Sequence, residues 1–336
     1  MAKIYYDRDA DLSVLKGKTV AIVGYGNQGR AQGLNLRDSG IRVVVGGIAD
    51  ATLERARVDG FATMSVSEAA DAGDIICLLI PDEVQQKVYR EEILPYLRPG
   101  KALDFAHGYN VHYGFIAPPE EIDVVMVAPR MIGVGVRDVY VEGKGVPAFV
   151  AVQQDGSGEA WAKTLALAKG MGCTRSGAIE SSFAEETELD HFSEHFVWPA
   201  LFRILVGSFD FLTANGHQPE AVLMELWASK EAAEVLERMA EVGIFRQMDF
   251  HSPTSQYGTL THMDSCLPGK VMGCMEGALG GIRDGSFARE WELEQAAGYP
   301  VFTRLKEAAL KHPVNEVEER VRMVLGVGSH GCPRGD

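Results

Sequence analysis

Positive charge is scarce in this chain: 32 Lys and Arg stand against 47 Asp and Glu, a formal net charge of −15. Such a surface has no general attraction for phosphate backbones, so no nucleic-acid partner is expected. Long apolar runs are missing as well. The longest strongly apolar one, residues 75–80, is six residues long, against the roughly 20 needed to span a bilayer, and no membrane partner is expected. The N-terminal stretch carries charges where a signal peptide has its apolar core, and no small-residue cleavage site follows, which points to the cytosol. Cysteine is sparse: Cys77, Cys173, Cys266, Cys274 and Cys332 are odd in number and never spaced CxxC. Neither a disulfide framework nor a zinc knuckle is indicated, and free thiols are expected. There is no repeat period and no low-complexity tract.

What is present is 336 residues with 46% apolar content, enough for two folded domains. From residue 19 to about 152, short β-rich runs alternate with helical stretches, the pattern of a parallel sheet built from βαβ units. Strands are expected at 19–23, 42–45, 74–79, 101–105, 123–128 and 146–152. Several, such as IICLLI and VVMV, are apolar at every position, as strands covered by helices on both faces should be. This half reads as a doubly wound α/β fold. Beyond Gly158 the periodicity becomes helical, and PEAVLMELWASKEAAEVLERMAEVG is too apolar and too long for a linker. The expected division is 1–180, 181–327 and a loose Gly/Pro-rich tail, 328–336.

The first strand runs directly into Gly24-Tyr25-Gly26-Asn27-Gln28-Gly29 and a helical AQGLNLRDSG. Strand, G-x-G-x-x-G turn and helix start together form the dinucleotide-binding fingerprint of a Rossmann domain. Gly24 permits the turn, Gly26 admits backbone to a pyrophosphate, and Gly29 allows close helix–strand packing. No acidic residue closes the second strand. Asp50, 26 positions after Gly24, sits in the following loop, where a carboxylate repels a 2′-phosphate and no Arg, Lys or Ser is present to bind one. NADH is therefore the expected cofactor. Arg55 and Arg57 on the next helix leave NADPH open, although their plainer role is as solvated helix charges.

Two further patterns carry chemistry. His107, in Asp104-Phe105-Ala106-His107-Gly108-Tyr109-Asn110, follows a strand at the edge where ligands of open α/β sheets gather; it is placed for proton transfer or for a structural role, with nothing local to decide. In the run 185–195, EETELDHFSEH, Asp190 and Glu194 are four apart on a helix and could reach one hard cation such as Mg²⁺. His191 and His195 form a parallel pair better suited to a softer metal. A solvated acidic face is the alternative.

At this point the sequence resembles the short-form ketol-acid reductoisomerases. The likeness covers nearly the whole chain: YYDRDADLSVLKGKTVAIVGYGNQG near the start, LIPDE at 79–83, FAHGYNVHYG at 105–114, EGKGVPAFVAVQQD at 142–155, EETELDHFSE at 185–194, TSQYG at 254–258 and DGSFAREW at 284–291. The resemblance implies a Rossmann domain followed by a knotted all-α domain for metal, substrate and dimerisation, with active sites shared across a homodimer. It implies Mg²⁺-dependent alkyl migration in 2-acetolactate or 2-aceto-2-hydroxybutyrate, then hydride reduction by a nicotinamide cofactor to a 2,3-dihydroxy acid. Carried onto this chain, the family's active-site positions are His107, Arg130 and Ser252, and its metal carboxylates are Asp190, Glu194 and, from a partner subunit, Glu225. Its cofactor contacts are Gly24, Tyr25, Gly26, Asn27, Gln28, Gly29, Asp50, Pro81 and Gly133.

The chain departs from the family pattern in three places. Where APKGPG is usual it has Ala128-Pro129-Arg130-Met131-Ile132-Gly133, so a lysine becomes Arg130, which keeps its charge but gives up no proton near neutral pH. Met131 and Ile132 are expected to change the pocket wall. The second carboxylate four residues after Glu225 is Ser229, with Glu231 and Glu234 off Glu225's face unless the helix is re-phased. The Asp50 loop lacks phosphate-binding residues. A reductase of another 2-keto acid or imine without isomerase activity, and a silent NAD-binding sensor, are the competing readings. Trp198 and Trp227 are expected in core or subunit-interface packing.

Overall fold

The computed structural model describes residues 2–266 and 270–325. The expected loose tail and Cys332 lie outside the described residues. The chain forms two compact units, Met1–Asp190 and His191–Asp336.

The first unit is built on a nine-stranded sheet. Its strands are β1 (Ile4–Tyr5), β2 (Thr19–Val23), β3 (Arg42–Gly46), β4 (Ala62–Met64), β5 (Ile75–Leu78), β6 (Ala102–Phe105), β7 (Asp123–Pro129), β8 (Ala148–Gln154) and β9 (Ala178–Glu180). They lie side by side as β1-β9-β8-β7-β6-β5-β2-β3-β4. Every residue of β2, β5, β6 and β7 is buried, which explains their unbroken apolar runs. Helices α1 (Asn27–Asp38), α2 (Ala51–Val58), α3 (Val66–Ala72), α4 (Asp82–Val88), α5 (Tyr109–His112), α6 (Gly133–Val141) and α7 (Ala160–Gly170) connect the strands. Two apolar cores result, one around Ile22, Leu36, Ile75, Val125 and Leu167, the other around Val23, Ile76, Leu103, Phe105 and Met126.

The sheet is not wholly parallel. β8 runs antiparallel to β7, with Ala148 opposite Pro129. The chain thus re-enters the sheet at the end where it left β7, and α6, between the two strands, packs against α1. β1, β4 and β9, of two or three residues, are too short to show a period in sequence.

Helix α8 (Phe183–Phe192) starts in the first unit, where Phe183 meets Phe105 edge to face at 6.1 Å and joins the second core. The second unit is helical: α9 (Trp198–Ala214), α10 (Pro219–Leu223), α11 (Glu231–Val242), α12 (Pro253–Cys266), α13 (Lys270–Arg283), α14 (Ser286–Ala296), α15 (Pro300–Leu310) and α16 (Val314–Leu325). Its own core is small, formed by Phe209, Val222, Leu223, Val314, Val317 and Val321. The stretch expected as one helix from 219 to 243 is broken. A π-helical turn at Met224–Ala228 follows α10, and Lys230 adopts a left-handed φ of 71° before α11 begins. Glu231 and Glu234 therefore stand on a different helix from Glu225.

The helical stretch Phe183–Ala214 is long and apolar enough, by length and composition, to cross a membrane. A search for contiguous apolar runs overlooks it because isolated charges such as Arg203 and Asp210 interrupt the apolar residues.

Candidate active site

Strand order sets where a ligand can sit. From central β2 the chain goes outward to β3 and β4, then returns to β5 on β2's other side. That order makes the carboxyl ends of β2 and β5 a topological switch point, the place where open α/β sheets bind ligands. Gly24, immediately after β2, has φ 94°, and a Cβ on it would overlap Ile80 of the β5 loop. Gly29, one turn into α1, lies so close to the Gly24 carbonyl that no side chain fits between them. These two positions require glycine, and the turn they create leaves Gly26 as the N-cap residue of α1 with open space above it.

The other expected cofactor residues divide. Asn27 and Gln28 open α1, and the Gln28 side chain donates to the Met131 carbonyl at 2.9 Å. Gly133 begins α6 and packs directly on the Asn27 backbone, so two helix starts lie side by side. Pro81 caps α4. The Tyr25 side chain is turned into the protein: its ring is buried edge-on against Phe61 and its hydroxyl donates to Asp59 at 3.0 Å. Asp50 is the N-cap of α2, with Oδ1 accepting from the amides of Thr52 (2.9 Å) and Leu53 (3.0 Å). Those amides and the Thr52 hydroxyl hold its pKa below the usual carboxylate value. Arg57 is tied to Glu54 and Thr63, as a solvated helix charge would be.

Next along the same edge, at the ends of β6 and β7, four charged side chains meet. His107 Nδ1 lies 2.9 Å from Glu186 Oε2 and 3.8 Å from Asp190 Oδ2. Arg130, directly after β7, forks across both acids: Nη1 donates to Glu186 Oε1 at 2.9 Å and Nη2 to Asp190 Oδ1 at 2.5 Å. The Gly108 amide adds a 2.7 Å bond to Glu186 Oε2. The guanidinium lies over the Phe149 ring, 5.1 Å from its centroid. Glu186 and Asp190 share a face of α8 because they are four residues apart. Burial disfavours a charged His107, but the hydrogen bond and charge of Glu186, with Asp82 and Asp190, prevail and raise its pKa to about 9.

Ligand atoms of His107, Glu186 and Asp190 lie within 4.8 Å of one another, the only such group among the described residues. Two hard carboxylates beside one imidazole fit a small oxygen-seeking cation such as Mg²⁺. The expected pair was Asp190 with Glu194; the pair gathered at His107 is Glu186 with Asp190. Spacing alone fits both pairs; Glu186, 1% exposed, is the one that lies against His107 and Arg130. Glu194, exposed in the π-helical turn Ser193–Val197, and the exposed Glu225 and Ser252 belong to the second unit. There His191 and His195 pack on Phe287, ring centroids 5.6 and 4.1 Å away, which favours a packing role over a soft-metal pair.

Sequence reasoning missed one further arrangement. Asn110, buried after His107, donates to the Asp82 carbonyl and to Gln85 Oε1, each at 3.1 Å, and Gln85 donates to the Ile80 carbonyl at 3.0 Å. This clasp joins the loop after β5 to the loop carrying His107. Its only sequence signal is the polar PDEVQ that follows the β5 strand.

Residues 14–177 match the model of the acetohydroxy acid isomeroreductase NADPH-binding domain, and residues 183–326 match the ketol-acid reductoisomerase C-terminal domain. The chain belongs to the ketol-acid reductoisomerase family. It is 46% identical over 329 residues to the ketol-acid reductoisomerase (NADP(+)) of Methanopyrus kandleri, covering 97% of this chain and 99% of the relative. The corresponding protein of Pyrobaculum aerophilum is 45% identical over 327 residues, with the same coverage. A solved NADH-preferring ketol-acid reductoisomerase from an uncultured archean superimposes with a TM-score of 0.92 at 37% identity, covering 96% of this chain and 99% of its own. As a ketol-acid reductoisomerase, the chain is an NAD(P)H-dependent oxidoreductase.

Proposed function

We propose that this reductoisomerase converts 2-acetolactate or 2-aceto-2-hydroxybutyrate to the 2,3-dihydroxy acid, by Mg²⁺-dependent alkyl migration followed by hydride transfer from NADH. The observation that carries the reading is the meeting of Glu186, Asp190, His107 and Arg130 on the same sheet edge as the Gly24–Gly29 turn. Glu186 and Asp190 would hold the cation. Bound there, it would act as a Lewis acid on substrate oxygens in both steps. Glu186 fixes His107 through Nδ1 and favours its protonated form, in which the imidazolium would serve as a proton donor. Arg130, which carries a permanent charge, binds carboxylate but shuttles no proton. The α1 N-terminus takes the pyrophosphate.

For the cofactor, the ionised Asp50 and the absence of a nearby phosphate-binding side chain in its loop support NADH, with NADPH as the weaker alternative. A homodimer is supported by the apolar residues that α9 leaves exposed, among them Trp198, Phe202 and Phe211. Glu225 and Ser252, exposed in the second unit, would complete the partner's site.

The test is NADH oxidation by purified protein with Mg²⁺ and 2-acetolactate, which should proceed and should stop when the cation is chelated. Turnover only of 3-hydroxy-3-methyl-2-oxobutyrate, the already rearranged compound, would replace this reading with that of a plain reductase. NADH binding with neither substrate reduced would leave a nucleotide sensor.

A further inference from the structure

Helix α1 carries three amide side chains on one face, Gln28, Gln32 and Asn35, at positions i, i+4 and i+7. Gln32 and Asn35 are buried. Asn35 is well satisfied there: its Nδ2 donates to the carbonyls of Val136 (3.4 Å) and Met171 (3.1 Å), and its Oδ1 accepts from Arg137 at 2.9 Å. Gln32 is not. Its Nε2 donates to Gln28 Oε1 at 3.1 Å, but its own Oε1 is buried with no hydrogen-bond partner. An apolar side chain of the same size would avoid that cost, so packing alone gives no reason for a glutamine at this position.

The direction of the bonds supplies the reason. The Met131 carbonyl can only accept, so Gln28 turns its NH₂ group toward it, at 2.9 Å. That leaves Gln28 Oε1 facing Gln32, which must answer with its own NH₂ group, and the unpaired Oε1 of Gln32 is what remains. We propose that Gln32 and Gln28 form a polar relay that positions the segment carrying Arg130: Gln32 holds the Gln28 amide in one of its two orientations, and Gln28 holds the carbonyl of the residue directly after Arg130. The relay starts inside α1, passes through its first turn beside the Gly24–Gly29 turn and ends next to the group of Arg130, Glu186, Asp190 and His107. Both glutamines are positioning residues, acting through the Met131 backbone. Their effect on turnover rests on the reading above, in which the glycine turn and Arg130 serve one reaction.

Gln32→Met in the full chain tests it, because methionine keeps the length of the side chain and removes both polar groups. Urea unfolding should find the variant no less stable than the wild type, since the unpaired acceptor is gone. Hydrogen–deuterium exchange in a peptide spanning residues 130–136 should nevertheless speed about five-fold, the restraint of one neutral hydrogen bond. With NADH, Mg²⁺ and 2-acetolactate, kcat should fall about five-fold while the Kd for NADH stays within about two-fold, because backbone amides at the α1 start would still hold the pyrophosphate. Gln28→Met should give the same losses, and the double variant no further loss, because Gln32 acts only through Gln28. Losses that multiply in the double variant would overturn the relay. Unchanged exchange at 130–136 in Gln32→Met would overturn it too, as would a variant that is less stable and exchanges faster throughout the first unit, since that is a packing role. Should Gln32→Met fail to fold, Gln28→Met at its half-buried position carries the exchange measurement, with the same two outcomes. Faster exchange at 130–136 in a protein whose wild type turns over no 2-acetolactate would support the relay and remove the proposed substrate instead.

Discussion

Asp104 shows what burial does to a single side chain in this fold. It sits wholly inside the sheet core on β6, with Oδ1 accepting the Val127 amide at 3.0 Å, Oδ2 without a hydrogen bond and the Cys77 thiol beside it. Burial raises its pKa from 3.8 to about 7, outweighing the thiol and the amide. A raised carboxyl pKa means that the folded state binds more protons than the unfolded chain between those values. Stability therefore falls as pH rises through that window and is lowest once the buried acid ionises. Asp104→Asn keeps the shape and removes the charge. Urea unfolding should find the variant ~1–3 kcal/mol more stable than wild type at about pH 8 and nearly equal at about pH 4.5; a constant difference at both would refute the assignment. Asp50 caps α2 and, on the proposed NADH reading, would also repel a 2′-phosphate. Asp50→Ser retains a capping oxygen, so stability should move by less than ~0.5 kcal/mol while NADPH use rises relative to NADH. Asp50→Ala should raise NADPH use and also cost ~1 kcal/mol. An unchanged cofactor ratio in both variants would leave the residue a cap only.

The clasp of Asn110, Gln85 and Asp82 acts between elements. It ties the loop after β5, on the proposed cofactor side, to the loop carrying His107, on the proposed cation side, through amide groups that have no solvent to fall back on. Asn110→Leu should lower kcat and raise the KM for NADH together, each by about ten-fold, since the reacting groups lose their relative position. Loss of stability with unchanged kinetic constants would make the clasp a packing feature. A second break between elements, at Lys230, places a Cβ in the left-handed region. Lys230→Gly should stabilise the protein by ~0.5–1 kcal/mol in thermal or urea unfolding, and destabilisation would show that the lysine side chain matters more than its backbone. The same elements show what sequence can convey. β2, β5 and β7 were legible because burial on both faces forces unbroken apolar runs, and the glycine turn because Gly24 and Gly29 tolerate no side chain. The reversal of β8 was not, since the residues of a strand read the same whichever way it runs beside its neighbour. Lys230 gave no sign because lysine has no left-handed preference. Glu186 and Glu194 are equivalent by spacing from Asp190, and only the tertiary position of His107 and Arg130 separates them.

At the scale of the whole molecule, the second unit buries too little of its own apolar surface. Among the described residues its core cluster holds six buried side chains, while on α9 alone Trp198, Phe202, Ile204 and Phe211 are each at least 46% exposed. Of the apolar window in the helical stretch 183–214, 6% is buried. Exposed apolar side chains in this number on one helix mark an interaction surface, and a second copy of the chain covers it most simply. The expected particle is then a dimer whose stability depends on concentration. Its thermal midpoint should rise with protein concentration, because association adds free energy only to the folded state. Phe202→Asp places a charge in the centre of that surface in both copies at once, at ~2 kcal/mol or more per copy. Sedimentation should show the wild type as a dimer at micromolar concentration and the variant shifted toward monomer or aggregate. Activity should fall with the dimer fraction, because Glu225 and Ser252 would then have no neighbouring site to complete. A fully active monomeric variant would show that each chain carries a whole site, and a detergent-dependent wild type would show that lipid, not a second copy, covers the helix.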